Sequence, residues 1–309
     1  MFESLADVDE DEASAAALVA LLNVRPDGLM WPDITAEVVA GGSALAVWEQ
    51  HSTPALFPFP GEQDPLAEAL LSVRSWMADN FRVLMITDTD YPSRLRGIHQ
   101  APPILFARGE VRADDPAVSV VGSRKASPEG LRLAADVARA LTAEGLTVLS
   151  GLASGIDAAG HRAALDEGGR TVALIGSGIR RYYPAENRDL QDEIGQRGLV
   201  LSQFWPDAPP RRQHFPMRNA AMSGYGLATV VVEAGEHSGA RIQARMAVEH
   251  GRPVILSNLV ARRTAWGKAL LGRPAVYQAN TAGEAVAIVR QIEQRRQNVD
   301  DELQRLYAT

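Results

Sequence analysis

Three glycine-bearing segments have the residue types to hold an anion: Gly122-Ser123-Arg124, Ser150-Gly151-Leu152-Ala153-Ser154-Gly155-Ile156-Asp157 and Gly176-Ser177-Gly178. Each follows a short run rich in Val, Ile and Leu and precedes a stretch with helical spacing. Glycine lets a backbone approach a ligand closely, and N–H groups at a following helix N-terminus favour phosphate oxygens. Each segment alone is a weak signal and reads first as a tight strand-to-helix turn, which needs glycine anyway. Arg124 tips the first toward chemistry, because a guanidinium at a strand end has little to do in a core and matches a phosphate well. A fourth segment, His214-Phe215-Pro216-Met217-Arg218-Asn219, combines an aromatic ring with an Arg-Asn pair at a proline-started helix. Such a group can stack a base and hold its phosphate; the alternative is a Phe215 buried under the helix with Arg218 in a salt bridge. Glu233 ends the next apolar run as a candidate acid or base, and Ser238-Gly239 caps the helix after it.

Other chemistries fail on composition or spacing. The chain has no cysteine, which excludes disulfides, thiolate metal sites and a Cys nucleophile. Gly176-Ser177-Gly178 lacks the third glycine of a dinucleotide fingerprint, no G-x-x-x-x-G-K-[ST] run exists, and no H-E-x-x-H or dense His/carboxylate cluster suggests a metal. No cofactor is expected. Ser154, Asp157 and His161 fall within eight residues, too crowded to converge as a hydrolytic triad, and Asp157 reads as a helix N-cap. No apolar run approaches the ~20 residues that cross a bilayer, and the opening MFESLADVDEDE is acidic where a signal peptide needs basic residues. A cytoplasmic protein with no membrane partner is expected.

The net charge of −7 over 309 residues is unevenly spread. Residues 1–82 hold 14 acidic and 3 basic residues, whereas residues 170–273 hold 15 basic and 8 acidic. An anionic ligand is compatible with the second region. The expected organisation is an acidic disordered tail (1–12), a small domain of three short helices (13–52), a proline-rich linker with a connecting helix (53–82), an α/β domain (83–280) and a C-terminal helix (281–309). Residues 83–309 are expected to fold on their own.

Short apolar strands are predicted at 118–121, 147–149, 171–175, 199–201, 229–232 and 253–256. Helices are predicted at 128–144, 157–167, 186–196, 218–225 and 240–250, and residues 83–106 supply one or two edge strands. This alternation marks an α/β fold with a doubly wound, mostly parallel sheet, in which ligands bind beyond the carboxyl ends of the strands. The last helix carries Val286, Val289, Ile292, Val299, Leu303 and Leu306 on one stripe, which suits docking on its own domain or, alternatively, a dimer contact.

Taken in order, these segments resemble the DprA/Smf DNA-processing family: Val120-Val121-Gly122-Ser123-Arg124, the loop from Ser150 to Asp157 with His161, Gly169-Arg170-Thr171, Gly176-Ser177-Gly178, Tyr183-Pro184-Ala185-Glu186-Asn187, the segment from His214 to Asn219, and Val232-Glu233-Ala234 with Ser238-Gly239. The lead-in Asp88 to Phe106 is also similar, and the N-terminal helices resemble the family's helix-hairpin-helix-type domain. The resemblance implies an extended Rossmann-like domain that binds single-stranded DNA, forms a homodimer, and loads RecA recombinase onto incoming DNA in natural transformation, without catalysis. Carried over by motif, the DNA pocket comprises Gly122, Ser123, Arg124, Gly151, Gly176, Ser177, Gly178, Asn187, Phe215, Arg218 and Asn219. The chain departs from the family at Ala220, where a second arginine is common, at Ala185, and along Ser238 to Ala244. Arg180, Arg181 or Arg241 is expected to supply the missing cation. Two alternatives share the fold: a phosphoribohydrolase-like enzyme with Glu233 as its acid, although its P-G-G-x-G-T-x-x-E run is absent, and a sensor of a small nucleotide.

Overall fold

A computed structural model describes residues 8–52 and 64–307. Four helices come first: α1 (Glu10–Val24), α2 (Trp31–Gly41), α3 (Ala44–His51) and α4 (Pro65–Met77). Nine strands follow: β1 (Arg82–Met85), β2 (Ile104–Gly109), β3 (Ala117–Gly122), β4 (Thr147–Ser150), β5 (Thr171–Leu174), β6 (Leu199–Ser202), β7 (Ala228–Glu233), β8 (Val254–Ser257) and β9 (Val276–Ala279). Between and after them lie α5 (Ser93–Arg96), α6 (Pro128–Ala143), α7 (Ile156–Asp166), α8 (Arg188–Arg197), α9 (His214–Tyr225), α10 (Gly239–Glu249), α11 (Asn258–Ala261), α12 (Ala265–Leu270) and α13 (Ala282–Tyr307).

The strands form one sheet in the order β1-β2-β6-β5-β4-β3-β7-β8-β9. Strands β3 to β9 pair in parallel, while β2 runs antiparallel to both β6 and β1. The predicted doubly wound sheet is therefore present, with the segment at 83–106 giving two antiparallel strands. Its central strands are buried along almost their whole length, which is why they read as continuous Val/Ile/Leu runs rather than alternating ones. From β3 the chain moves outward through β4, β5 and β6, then returns to the other side of β3 with β7. The reversal leaves a crevice at the carboxyl ends of β3 and β7, where connecting loops diverge.

One apolar cluster includes Val137 and Leu141 of α6, Ala163 and Ala164 of α7, and Ala285, Val286 and Val289 of α13. The C-terminal helix thus docks on its own domain through its first half, whereas Val299, Leu303 and Leu306 are exposed. A larger cluster joins α1 and α4 to β1, β2 and β6. The Trp76 ring lies 5.2 Å from Phe106 and stacks 5.5 Å from Trp205, which also meets Trp31 at 5.6 Å and Phe106 at 6.2 Å. This aromatic seam crosses the boundary drawn at residue 83, and Phe106 is completely buried. Glu10, Asp11 and Glu12, expected in the acidic tail, form the first turn of α1, where negative charge suits the helix dipole, and the Asp9 carboxylate accepts the Asp11 N–H at 3.0 Å; residues 1–7 of that stretch lie outside the described residues. Most of the proline-rich stretch lies outside the described residues. Strand β9 was not predicted from its sequence; VYQA is only partly buried and carries no apolar run.

His161 on α7 is fully buried, its Nδ1 2.6 Å from Thr171 Oγ1, and its Nε2 has no partner among the described residues. Burial, with the nearby Arg218 and Arg162 charges, lowers its pKa to about 3. The unfolded chain takes up a proton below about pH 6.5 that the folded one refuses, so stability falls as pH drops from there toward 3. Between pH 6.5 and 5 the wild type should lose roughly 1.5 kcal/mol more than His161→Gln, as measured by urea unfolding at each pH. Parallel pH profiles for the two proteins would show that His161 carries no such penalty.

Candidate nucleic-acid interface

The turn after β3 is held by backbone contacts on both sides. Ser123 N–H donates to the Glu233 carbonyl at 2.7 Å, and the Ser123 carbonyl accepts the Ile156 N–H at 3.2 Å. Gly155 faces this turn at φ 81°, and a Cβ there would lie 2.3 Å from the Ser123 oxygen. Only glycine fits both the left-handed backbone and the close approach. With the main chain fixed, Arg124 and Lys125 are exposed and make no ion pair among the described residues. The Arg124 guanidinium sits 5.1 Å from the Phe215 ring centroid, a cation–π distance.

Phe215 belongs to α9, which starts at His214, four residues earlier than predicted; Pro216 is accommodated in the first turn, where its missing N–H leaves no bond unmade. The ring is half-buried, 5.7 Å from Tyr183, and so close over Gly176 that a Cβ there would lie 3.0 Å from it. One turn further on, Arg218 points inward and is 5% exposed. Its Nη1 donates to the Leu174 carbonyl at 2.8 Å, and its Nε has no partner among the described residues. A Cβ on Gly151 would lie 1.6 Å from that Nη1. Asp157 lies beneath the same loop. It is not the N-cap expected of it: Gly155 occupies that position, and the Asp157 carboxylate turns back to accept the Gly151 and Ala153 N–H groups at 3.2 and 3.3 Å. Burial pushes the Asp157 carboxyl up, against the pull of the Arg218 charge and the loop amides. Burial likewise lowers Arg218, with the Asp157 charge opposing it.

Above this pair opens a cavity of about 580 Å³ at the β3/β7 crevice, lined by Gly122 to Lys125, Phe215, Arg218 and Asn219 and, from the loop and helix start opposite, by Gly235 and His237 to Ala240. A second cavity of about 240 Å³ shares Arg124, Ala153, Phe215 and Arg218 and is completed by Gly151, Ser154, Gly176, Tyr183, Pro184 and Glu186.

Gly122, Ser123, Arg124, Gly151, Gly176, Phe215, Arg218 and Asn219 are thus gathered at one rim. The other candidates go elsewhere. Ser177 is buried, its carbonyl accepting the Ser202 hydroxyl, and Gly178 N–H donates to the Ala208 carbonyl. Asn187 is buried and donates to the Leu152 carbonyl at 3.0 Å, tethering the loop rather than facing the cavity. Arg180 is committed to Asp79 and Asp207 at 2.7 and 2.6 Å, and Arg181 to the Asp207 carbonyl. Arg241 donates to the Glu236 carbonyl and lines a separate groove with Trp266 and Arg273. Sequence reasoning missed Lys125, His237 and Tyr183, each adjacent to or inside a motif already noted. The crowded trio does not converge: Ser154 donates to Glu186 at 2.7 Å, while His161 faces Thr171. Glu233 is taken up by the head of α6, where its Oε2 accepts the Ser127 N–H at 3.0 Å and hydroxyl at 2.8 Å.

Among the described residues no helix is long and apolar enough to cross a membrane, and no group of three or more His, Asp or Glu is placed to hold a metal ion. A doubly wound sheet whose switch point gathers a guanidinium with no ion pair among the described residues, an aromatic ring and helix N-termini defines a Rossmann-like protein with a rim whose chemistry suits an anion. Residues 82–284 match the family described as DNA recombination-mediator protein A, and the chain belongs to this DprA/Smf DNA-processing family. It is 43% identical over 175 residues to DNA processing protein DprA of Streptococcus pneumoniae, covering 56% of this chain and 62% of that one. It is 33% identical over 182 residues to the Bacillus subtilis DprA, covering 58% and 61%. These alignments span less than two thirds of each relative's length. The solved S. pneumoniae DprA structure superposes with a TM-score of 0.67 at 28% identity, over 90% of this chain and 95% of that one. A Helicobacter pylori DprA structure, described for its single-stranded DNA binding mode, shares the fold with a TM-score of 0.60 at 22% identity, over 70% and 96%.

Arg218→Met removes the charge that offsets the buried Asp157 carboxylate and should lower stability by about 3 kcal/mol in chemical denaturation, with part of the loss recovered when Asp157→Asn is added. Strictly additive losses would show that the two charges do not compensate one another.

Proposed function

We propose that the chain binds single-stranded DNA across the β3/β7 rim, without catalysis, and delivers the strand to RecA recombinase as part of recombinational DNA processing in natural transformation. The observation that carries this reading is Arg124: exposed, without a carboxylate partner among the described residues, and set over the Phe215 ring at the switch point. A backbone phosphate on that guanidinium places its base within reach of an aromatic face, the combination used by proteins that hold single strands without reading sequence. The family's description as a recombination mediator supports the RecA partnership. We read residues 83–280 as the DNA-binding domain, residues 13–52 as an appended helical module, the active species as a cytoplasmic homodimer, and the exposed end of α13 as a candidate contact between copies. The phosphoribohydrolase alternative needs a free acid, and Glu233 is occupied in capping α6.

Binding to oligonucleotides of increasing length tests the reading. Affinity should rise with length for single strands and be weaker for duplex, whose bases are already stacked; saturation at one nucleotide would favour a sensor instead. Arg124→Ala should weaken binding and lower the salt slope by ~0.7, the share of one phosphate contact. Phe215→Ala should cost ~1 to 3 kcal/mol of binding with little change in that slope. Thermal melting separates these from unfolding. An Arg124→Ala protein with unchanged affinity and salt slope would remove the rim as the DNA site.

A further inference from the structure

The smaller cavity beside Phe215 is lined by charges of both signs. Arg124 and Arg218 share it with Tyr183, Ser154 and Glu186. Tyr183 is 40% exposed, so one face of its ring is available. Glu186 is exposed and accepts the Ser154 hydroxyl with Oε1 alone, and no cation pairs with it among the described residues. Its second oxygen is left to accept another hydrogen. A carboxylate on a rim that holds phosphates repels them, which drives the phosphate toward Arg124 and leaves Glu186 to face the opposite end of a nucleotide. That end is a base edge, and the Phe215 and Tyr183 rings of the same cavity offer it faces to stack on.

We propose that this cavity is a base-reading subsite in which Glu186 accepts a hydrogen bond from the exocyclic amino group of cytosine, adenine or guanine. Thymine and uracil offer only a ring N–H flanked by two carbonyls, whose oxygens the carboxylate repels. The inference rests on the single-strand reading above and adds a base preference to a site whose Arg124 and Phe215 contacts are indifferent to sequence. Carboxylates accepting from cytosine N4 are an established mode of base discrimination.

Short oligo-dC and oligo-dU differ in this amino group and stack weakly, so their affinity ratio, read by fluorescence anisotropy in mildly alkaline buffer, isolates the contact. The wild type should favour oligo-dC by about 3- to 10-fold. Glu186→Gln both donates and accepts, and should bring the ratio close to one. Because loss of a negative charge strengthens binding to every strand, the ratio and not the affinity is decisive. A wild-type ratio near one, or a preference that survives Glu186→Gln, overturns the subsite while leaving the single-strand reading intact. Failure of both oligomers to bind overturns that reading and the subsite with it.

Discussion

Arg218 places a desolvated positive charge beneath the carboxyl ends of β4 and β5, and the geometry of the rim follows from how that charge is accommodated. The Leu174 carbonyl takes one of its N–H groups, and the nearby Asp157 carboxylate offsets the charge without touching it. Asp157 in turn fixes the amides of Gly151 and Ala153. Gly151 must lack a side chain because the guanidinium occupies that space. A positive charge held this way in a low-dielectric floor is already oriented before any anion arrives, so the field above it requires no rearrangement. The arginine left open to solvent and the arginine that shapes the floor are therefore different residues, Arg124 and Arg218, although both lie in motifs that read as phosphate contacts.

Sheet order explains where this charge ends up. Loops diverge only where the winding direction reverses, and the reversal between β3 and β7 puts the Gly122 turn opposite the Gly235 loop. The strands were legible because burial on both faces demands uninterrupted apolar residues. At the edges that demand lapses: β9 is half-covered and carries Tyr277 and Gln278, leaving no periodicity to detect. The start of α9 was misplaced because Pro216 suggested a boundary, whereas a proline in a first turn costs no hydrogen bond.

The site was legible wherever a residue type had no structural use at its position, as with Arg124 at a strand end. It was illegible wherever a side chain's direction decides its role. Asn187 and Ser177 sit in the right loops and face inward; Arg180 sits two residues beyond Gly178 and is drawn off by Asp79, a partner 101 positions away in the chain. Lys125 and His237 flank recognised motifs and face the cavity. Spacing along a loop does not report which wall each residue faces, because that depends on long-range partners.

Three of the chain's five tryptophans, Trp31, Trp76 and Trp205, form one cluster between the N-terminal helices and the sheet edge, and none lines the cavities at the rim. These three emit from the seam between helices and sheet, whereas Trp266 abuts the rim, its indole N–H donating to the Gly235 carbonyl at 3.2 Å. A strand resting on Phe215 touches none of the seam indoles, so a change in their emission on adding DNA would report movement of the helical region relative to the sheet. With Trp266 replaced by Phe, the chain thus carries a built-in optical probe of its own internal docking, free of the indole that abuts the rim.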